Sequence, residues 1–133
     1  MSQSKTMDKK IIHQLHADFE RCAHTDEASG VECWFARDLQ KLLGYMQWRN
    51  FEPVIEKAIT ACITAGGSPD DHFARARKMV DIGSGAQKEV EEIALTRYAC
   101  YLIAQNGDKE GLNLPNLLQA IGQSFTIGGS KKF

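Results

Sequence analysis

Four polar side chains that can contact phosphate lie close together in the first half of the chain. Arg37, Lys41, Gln47 and Arg49 surround a predicted turn between two helices. Lysine and arginine neutralise phosphate charge, and the glutamine amide can hydrogen-bond a phosphate oxygen. We therefore expect this segment to face the backbone of a nucleic acid.

The helix that follows this turn carries weaker evidence for reading bases. Asn50 can hydrogen-bond adenine, but asparagine is also strongly favoured at helix N-caps, and we predict the N-cap role. Glu52 and Glu56 fall on the same helix and would repel phosphate if they faced a groove. The pattern favours backbone contacts over base recognition.

A second group of basic residues lies around a predicted β-hairpin. Arg75, Arg77, Lys78 and Lys88 flank the glycine-containing turn at 83–85. These residues can form a second basic strip against DNA, or they can be an ordinary solvated surface. The sequence leaves both interpretations open.

Two aromatic residues near the first turn can stack on the bases of single-stranded nucleic acid. Each such contact by Tyr45 or Trp48 would contribute about 1–3 kcal/mol. Packing between the two helices explains both rings at least as well. Trp48 is retained as a candidate contact residue because it adjoins the basic cluster.

The remaining polar residues indicate neither a catalytic centre nor a metal site. The chain contains no P-loop, GxSxG or HExxH pattern. Asp70, Asp71 and His72 are adjacent, which is typical of a turn. The four cysteines are widely spaced among apolar neighbours and form no CxxC pair, which predicts reduced core residues. We expect a protein that is not an enzyme and has no metal or cofactor.

The overall composition is typical of one globular domain. The chain has 133 residues, of which 43% are hydrophobic and 25% charged. Its net charge of −1 means that nucleic-acid binding must use a local basic patch. No apolar run approaches the roughly 20 residues of a membrane span, and no secretory signal is recognisable, so we expect a cytoplasmic protein without a membrane partner.

Hydrophobic periodicity predicts the elements that position these residues. An amphipathic helix is expected over 8–24, a short strand over 31–35, a short helix over 37–44, and a longer helix from Asn50 to Gly66, with Pro53 in its first turn. Strands near 79–82 and 93–95 form a small hairpin, and Thr96 caps a buried helix that runs to Gly107. The fold class is α+β, mainly helical, with a helix-turn-helix-like segment and a small antiparallel sheet.

Several sequence blocks in a fixed order resemble the DNA-damage-inducible protein D family. Residues 33–55 read CWFARDLQKLLGYMQWRNFEPVI, followed by DDHF at 70–73, MVDIGSGA at 79–86 and LTRYACYLIAQNGD at 95–108. The resemblance implies a BRO-N-like domain, related to phage antirepressors, over residues 1–108. It also implies an association with DNA and with the SOS response, and a recombinase filament as a partner.

The resemblance ends near Asp108. Residues 109–133 diverge and contain repeated glycines, so we expect a weakly ordered tail. Family proteins are about twice as long, which indicates a shortened relative or a shifted reading frame. Two functions remain: a DNA-binding module of the damage response, and a protein-interaction module that modulates a recombinase filament or a repressor without touching DNA. The sequence leaves homo-oligomer formation open.

Overall fold

The computed structural model describes residues 2–107 and 132–133 of the chain. Four α-helices and one four-stranded antiparallel sheet make up this part, which confirms the predicted α+β class. No helix in residues 2–107 is long and apolar enough to cross a membrane. In chain order the elements are α1 (Ser2–Arg21), β1 (His24–Thr25), β2 (Glu32–Phe35), α2 (Ala36–Leu43), α3 (Trp48–Thr64), a 3-10 turn (Pro69–Asp71), β3 (Phe73–Gly83), β4 (Ala86–Leu95) and α4 (Arg97–Asn106).

The sheet has the strand order β1-β2-β4-β3, and β3 and β4 form a long hairpin. Phe73 pairs with Leu95 at the buried base, and the tip turns at Ser84 and Gly85, both with positive φ. Residues 75–91, which we call the hairpin arm, are mostly exposed. The strands are much longer than the predicted 79–82 and 93–95, because ladder hydrogen bonds continue through polar residues that hydrophobic patterning did not assign to a strand.

The turn between α2 and α3 is held by its own backbone and side chains. Gly44 adopts the left-handed conformation (φ 93°), and its N–H donates to the carbonyls of Gln40 and Lys41. The Gln40 side chain in turn donates to the Tyr45 carbonyl at 3.1 Å. These bonds fix the direction in which α3 leaves the turn.

The start of α3 corrects two predictions. The helix begins at Trp48 with Gln47 as N-cap, so Asn50 lies inside the first turn and is not the cap. Pro53 lies further inside the helix, beyond the first turn. Packing of Trp48 on Phe51, with ring centroids 6.0 Å apart, favours the earlier start, since it adds apolar contact that a helix beginning at Asn50 would lose.

Aromatic and aliphatic side chains from the helices meet on the sheet. Phe19 of α1 stacks on Trp34 of β2 with centroids 4.4 Å apart, and the Trp34 indole N–H donates to the Phe19 carbonyl. Thr96 caps α4 as predicted, by accepting a hydrogen bond from the Ala99 N–H. The predicted burial of α4 is also confirmed, since five of its residues are buried.

Arg97 links three elements at the edge of this core. Its guanidinium forms a two-point ion pair with Glu20 of α1, at 2.8 and 2.9 Å, and donates to Glu32 of β2 at 2.9 Å. It also lies 5.0 Å from the centroid of the Trp34 ring. Arg97 thereby fastens α1, which begins at residue 2 and ends at Arg21 rather than at 24, to the rest of the domain.

The predicted weakly ordered tail over 109–133 lies outside the described residues, apart from its last two positions. There the Phe133 N–H donates to the Asp71 carbonyl at 2.8 Å. The Lys132 ammonium lies 3.7 Å from the Asp71 carboxylate. The end of the chain therefore meets the turn that precedes β3.

Candidate nucleic-acid interface

Arg37 connects the two helices around the turn to the hairpin. Its Nε donates to the Glu91 carbonyl of β4 at 2.8 Å, and its guanidinium carbon lies 4.2 Å from the centroid of the Trp48 ring at the start of α3. Stacking of a guanidinium on an indole ring is a favourable cation–π contact. Arg37 therefore positions the N-terminal end of α3, in addition to supplying positive charge.

The structure brings the first four predicted contact residues to one region. Arg37 and Lys41 are four residues apart on α2 and so share one side of that helix. Gln47 and Arg49 are exposed on either side of the half-buried Trp48. Gln47 and Arg49 therefore flank Trp48 at the start of α3, and Arg37 reaches the same ring from α2.

The two candidate stacking residues differ in exposure. Tyr45 is only 2% exposed and packs against Phe51, so it has a core role and no access to a base. Trp48 is half-buried, with the Arg37 guanidinium over its ring. The turn therefore exposes one aromatic ring, Trp48, which is partly covered by the Arg37 guanidinium.

A buried carboxylate, which the sequence analysis missed, fixes this region to the sheet. Glu92 of β4 is 2% exposed, and its Oε1 accepts hydrogen bonds from the N–H groups of Arg37 at 3.2 Å and Ile93 at 3.0 Å. The N-cap of α2 is Phe35, which has no side-chain acceptor, so Glu92 supplies the missing acceptor from another strand. The one sequence signal was the lack of a capping residue before α2.

The hairpin register divides the second basic group between two faces. Lys78 pairs with Val90 and Val80 pairs with Lys88, so these four residues share one face, which we call the lysine face. The other face, the arginine face, carries Arg75 and Arg77 opposite Ile93 and Glu91, and also Glu89 opposite Met79. The four basic residues therefore do not form one strip.

The two faces differ in how their charges are compensated. Arg75 pairs with Glu91 at 3.1 Å and with Glu56 of α3 at 3.5 Å, and Arg77 pairs with Glu89 at 3.5 Å. On the lysine face, Lys78 lies 3.8 Å from Glu92 Oε2. Lys88 has no carboxylate within 4.0 Å among the residues that the structure describes. All four basic side chains are exposed, and the shorter carboxylate contacts are those on the arginine face.

The cysteines and the polar turn have structural roles. Cys33, Cys62 and Cys100 are buried free thiols, as predicted, and burial raises the pKa of Cys100 well above its usual value. His72 Nδ1 lies 2.7 Å from the Thr96 hydroxyl, and burial lowers the pKa of His72. Within residues 10–107 and 132–133, no three His, Cys, Asp or Glu side chains are grouped as metal ligands.

The fold is a small α+β domain in which Arg37 of α2 contacts both the start of α3 and the base of the hairpin arm. The family model described as "BRO family, N-terminal domain" matches residues 22–113, and the chain belongs to this family. Over 97 residues it is 46% identical to the DNA damage-inducible protein D of Escherichia coli (strain K12), which confirms the resemblance seen in the sequence. That match covers 73% of this chain and 35% of the relative, so the chain spans about a third of that protein's length. No solved structure matches the chain.

Proposed function

We propose that this chain is a non-catalytic module of the DNA-damage (SOS) response that acts in the cytoplasm and binds DNA. The observation that carries the proposal is the start of α3, where the Arg37 guanidinium stacks on Trp48 and the neighbouring Gln47 and Arg49 are exposed, with exposed Lys41 one turn beyond Arg37 on α2. Lys41 and Arg49 supply positive charge, Gln47 an amide, and Arg37 a guanidinium held against Trp48, and all of these groups can contact the oxygens of a phosphate backbone. The name of the relative, DNA damage-inducible protein D, supports the assignment to the damage response.

Phosphate contact, rather than base reading, suits the charge distribution along α3. Free backbone N–H groups and the positive end of the helix dipole at Trp48 and Arg49 favour an anion. Glu52 and Glu56 are exposed one and two turns further along the helix and would be repelled by a second phosphate strand. DNA is therefore expected at the N-terminal end of α3 and not along its length.

Fluorescence anisotropy with labelled single- and double-stranded DNA over a salt series tests this proposal. The informative variant is Lys41→Gln with Arg49→Gln, which removes two charges beside the Arg37–Trp48 pair. The matched control is Lys10→Gln with Lys57→Gln, which removes two exposed charges elsewhere. Lys57 is about 12 Å along α3 from Arg49 and adjoins Asn106 of α4.

We expect wild-type binding that weakens as salt rises, because bound phosphates release counterions. The interface variant should reduce the salt slope by about 2, or about 1 for each lost phosphate contact. The control variant should leave the slope unchanged. Absence of binding at low salt, or equal losses in the two variants, would refute the proposed interface.

A second candidate is a protein-interaction module that modulates a recombinase filament or a repressor without touching DNA. The observation in its favour is Met46, which lies in the α2–α3 turn with 92% of its surface exposed. Exposed methionines suit adaptable protein-binding surfaces. This function predicts that Met46→Ser weakens capture of a recombinase filament while DNA binding stays absent or unchanged. Size-exclusion chromatography with light scattering, run in parallel, reports any homo-oligomer.

A further inference from the structure

We propose that the lysine face of the hairpin arm binds the phosphate backbone of double-helical DNA, while the arginine face stays paired within the protein. This inference rests on the proposed DNA-binding function and names the second element that takes part. It differs from both sequence interpretations, in which the four basic residues of the hairpin formed either one strip against DNA or an ordinary solvated surface.

The hairpin register sorts the charged residues between the two faces of the arm. Asp81, Glu89 and Glu91 alternate with the two arginines on one face, where the arginines find carboxylate partners at 3.1–3.5 Å. Beyond the buried Glu92, the lysine face of the arm holds two lysines, two valines and Ala76, and the Lys78 ammonium lies 3.8 Å from the Glu92 carboxylate. A polyanion therefore meets attraction on one face and neutralised or negative charge on the other.

Both Lys78 and Lys88 are able to reach a ligand. Lys78 is 45% exposed, and its 3.8 Å distance from Glu92 exceeds hydrogen-bond length, so its ammonium keeps donors for another acceptor. Lys88 is exposed, opposite Val80. The two lysines are diagonal neighbours on adjacent strands, with a spacing of about 7–8 Å that allows each to contact a different phosphate.

The hairpin arm is long and has a narrow tip. From Glu91 to Ala86 the strand extends about 17 Å, and a two-stranded ribbon fits a major groove about 12 Å wide. The tip is narrow, because Gly83, Ser84 and Gly85 all take positive φ and carry little or no side chain. Such an arm can lie in or across a duplex groove without steric obstruction.

The arm and the proposed site at α3 are joined by contacts through Arg37. Glu92 accepts the Arg37 N–H and lies beside Lys78, and the Arg37 side chain bonds the Glu91 carbonyl while stacking on Trp48. The base of the lysine face and the start of α3 are thus fixed to each other through one residue.

Two charge-matched variants of the whole chain test the inference. One carries Lys78→Gln and Lys88→Gln, and the other carries Arg75→Gln and Arg77→Gln, so each removes two positive charges from the same arm. Anisotropy with a short labelled duplex and with single-stranded DNA of the same sequence gives affinity and salt slope for both variants. Thermal unfolding verifies that each variant is folded.

The lysine variant should bind duplex about tenfold more weakly at low salt, with a salt slope reduced by about 2. The arginine variant should keep the wild-type slope. If loss of the Lys78–Glu92 contact prevents folding of the lysine variant, Lys88→Gln alone should reduce the slope by about 1.

Equal effects of the two variants, a wild-type slope in the lysine variant, or binding restricted to single strands would overturn the inference. If the lysine variant binds normally while Lys41→Gln with Arg49→Gln abolishes binding, the arm inference fails and the proposed function stands. If the wild-type chain binds neither form of DNA, both fail.

Discussion

Replacing Glu92 with alanine removes the acceptor that joins α2 to the hairpin. The carboxylate is 2% exposed and accepts two hydrogen bonds, from Arg37 N–H at 3.2 Å and Ile93 N–H at 3.0 Å. It also sits at the positive end of α2, which has no side-chain cap from its own sequence. The substitution leaves buried donors without a partner and removes a favourable charge from the helix end.

The expected loss of stability follows from these contacts. Two hydrogen bonds to a charged acceptor contribute about 1–1.5 kcal/mol each after part of the gain is offset by desolvation of the carboxylate. The interaction with the α2 dipole adds about 0.5 kcal/mol. The Glu92→Ala variant should therefore be less stable by about 3 kcal/mol. Glu92→Gln keeps an amide oxygen as acceptor and should lose about 1 kcal/mol, since only the charge is removed.

Urea unfolding followed by tryptophan fluorescence measures these differences, with Glu89→Ala as control. Glu89 lies on the same strand, but its side chain is 56% exposed and its ion pair with Arg77 is long, so the control should lose less than about 0.5 kcal/mol. Hydrogen exchange should show faster exchange of the α2 amides in Glu92→Ala. If Glu92→Ala is no less stable than Glu89→Ala, the capping role assigned to Glu92 is wrong.

Three further predictions concern the contacts that hold α1 and α4. Arg97→Ala should lower the free energy of unfolding by about 2 kcal/mol, because two partly exposed ion pairs and a cation–π contact are lost. Amide exchange in α1 should also become faster. The control Arg21→Ala, which removes an exposed local ion pair, should change neither the stability nor the exchange. The hydrogen bond from Arg97 lowers the pKa of Glu20, so this ion pair stabilises the fold fully above pH 4.5 and progressively less as the pH falls through the lowered pKa. The melting temperatures of the wild type and Arg97→Ala should therefore converge in acid. A difference that stays constant with pH would contradict the assignment. Thr96→Ala should cost about 2 kcal/mol in urea unfolding, because the Ala99 N–H loses its cap and His72 its hydroxyl partner, whereas Thr96→Ser should stay close to the wild type.

Local patterns were sufficient for most helices. Hydrophobic periodicity predicted a short helix over 37–44, close to the observed α2 over 36–43, and Thr96 was recognised as the cap of α4. The N-cap of α3 was misplaced by three residues, because Asn50 is a favoured cap by type while the actual cap at Gln47 depends on packing of Trp48. Propensity ranks the residues that can cap a helix, but tertiary contact chooses among neighbouring positions.

The sequence by itself determined the fold class, the family and the segment in which the first basic cluster lies. The tertiary structure decided which charges act together. Whether Lys78 and Arg77 face the same way depends on strand alternation and on a pairing register set across the hairpin, and a shift of one residue would exchange the two faces. The acceptor for the start of α2 comes from Glu92, 55 residues away along the chain, and a contact of that separation has no local sequence pattern. Short-range spacing therefore specified the elements, whereas the long-range pairing that brings β4 to α2 specified the surface.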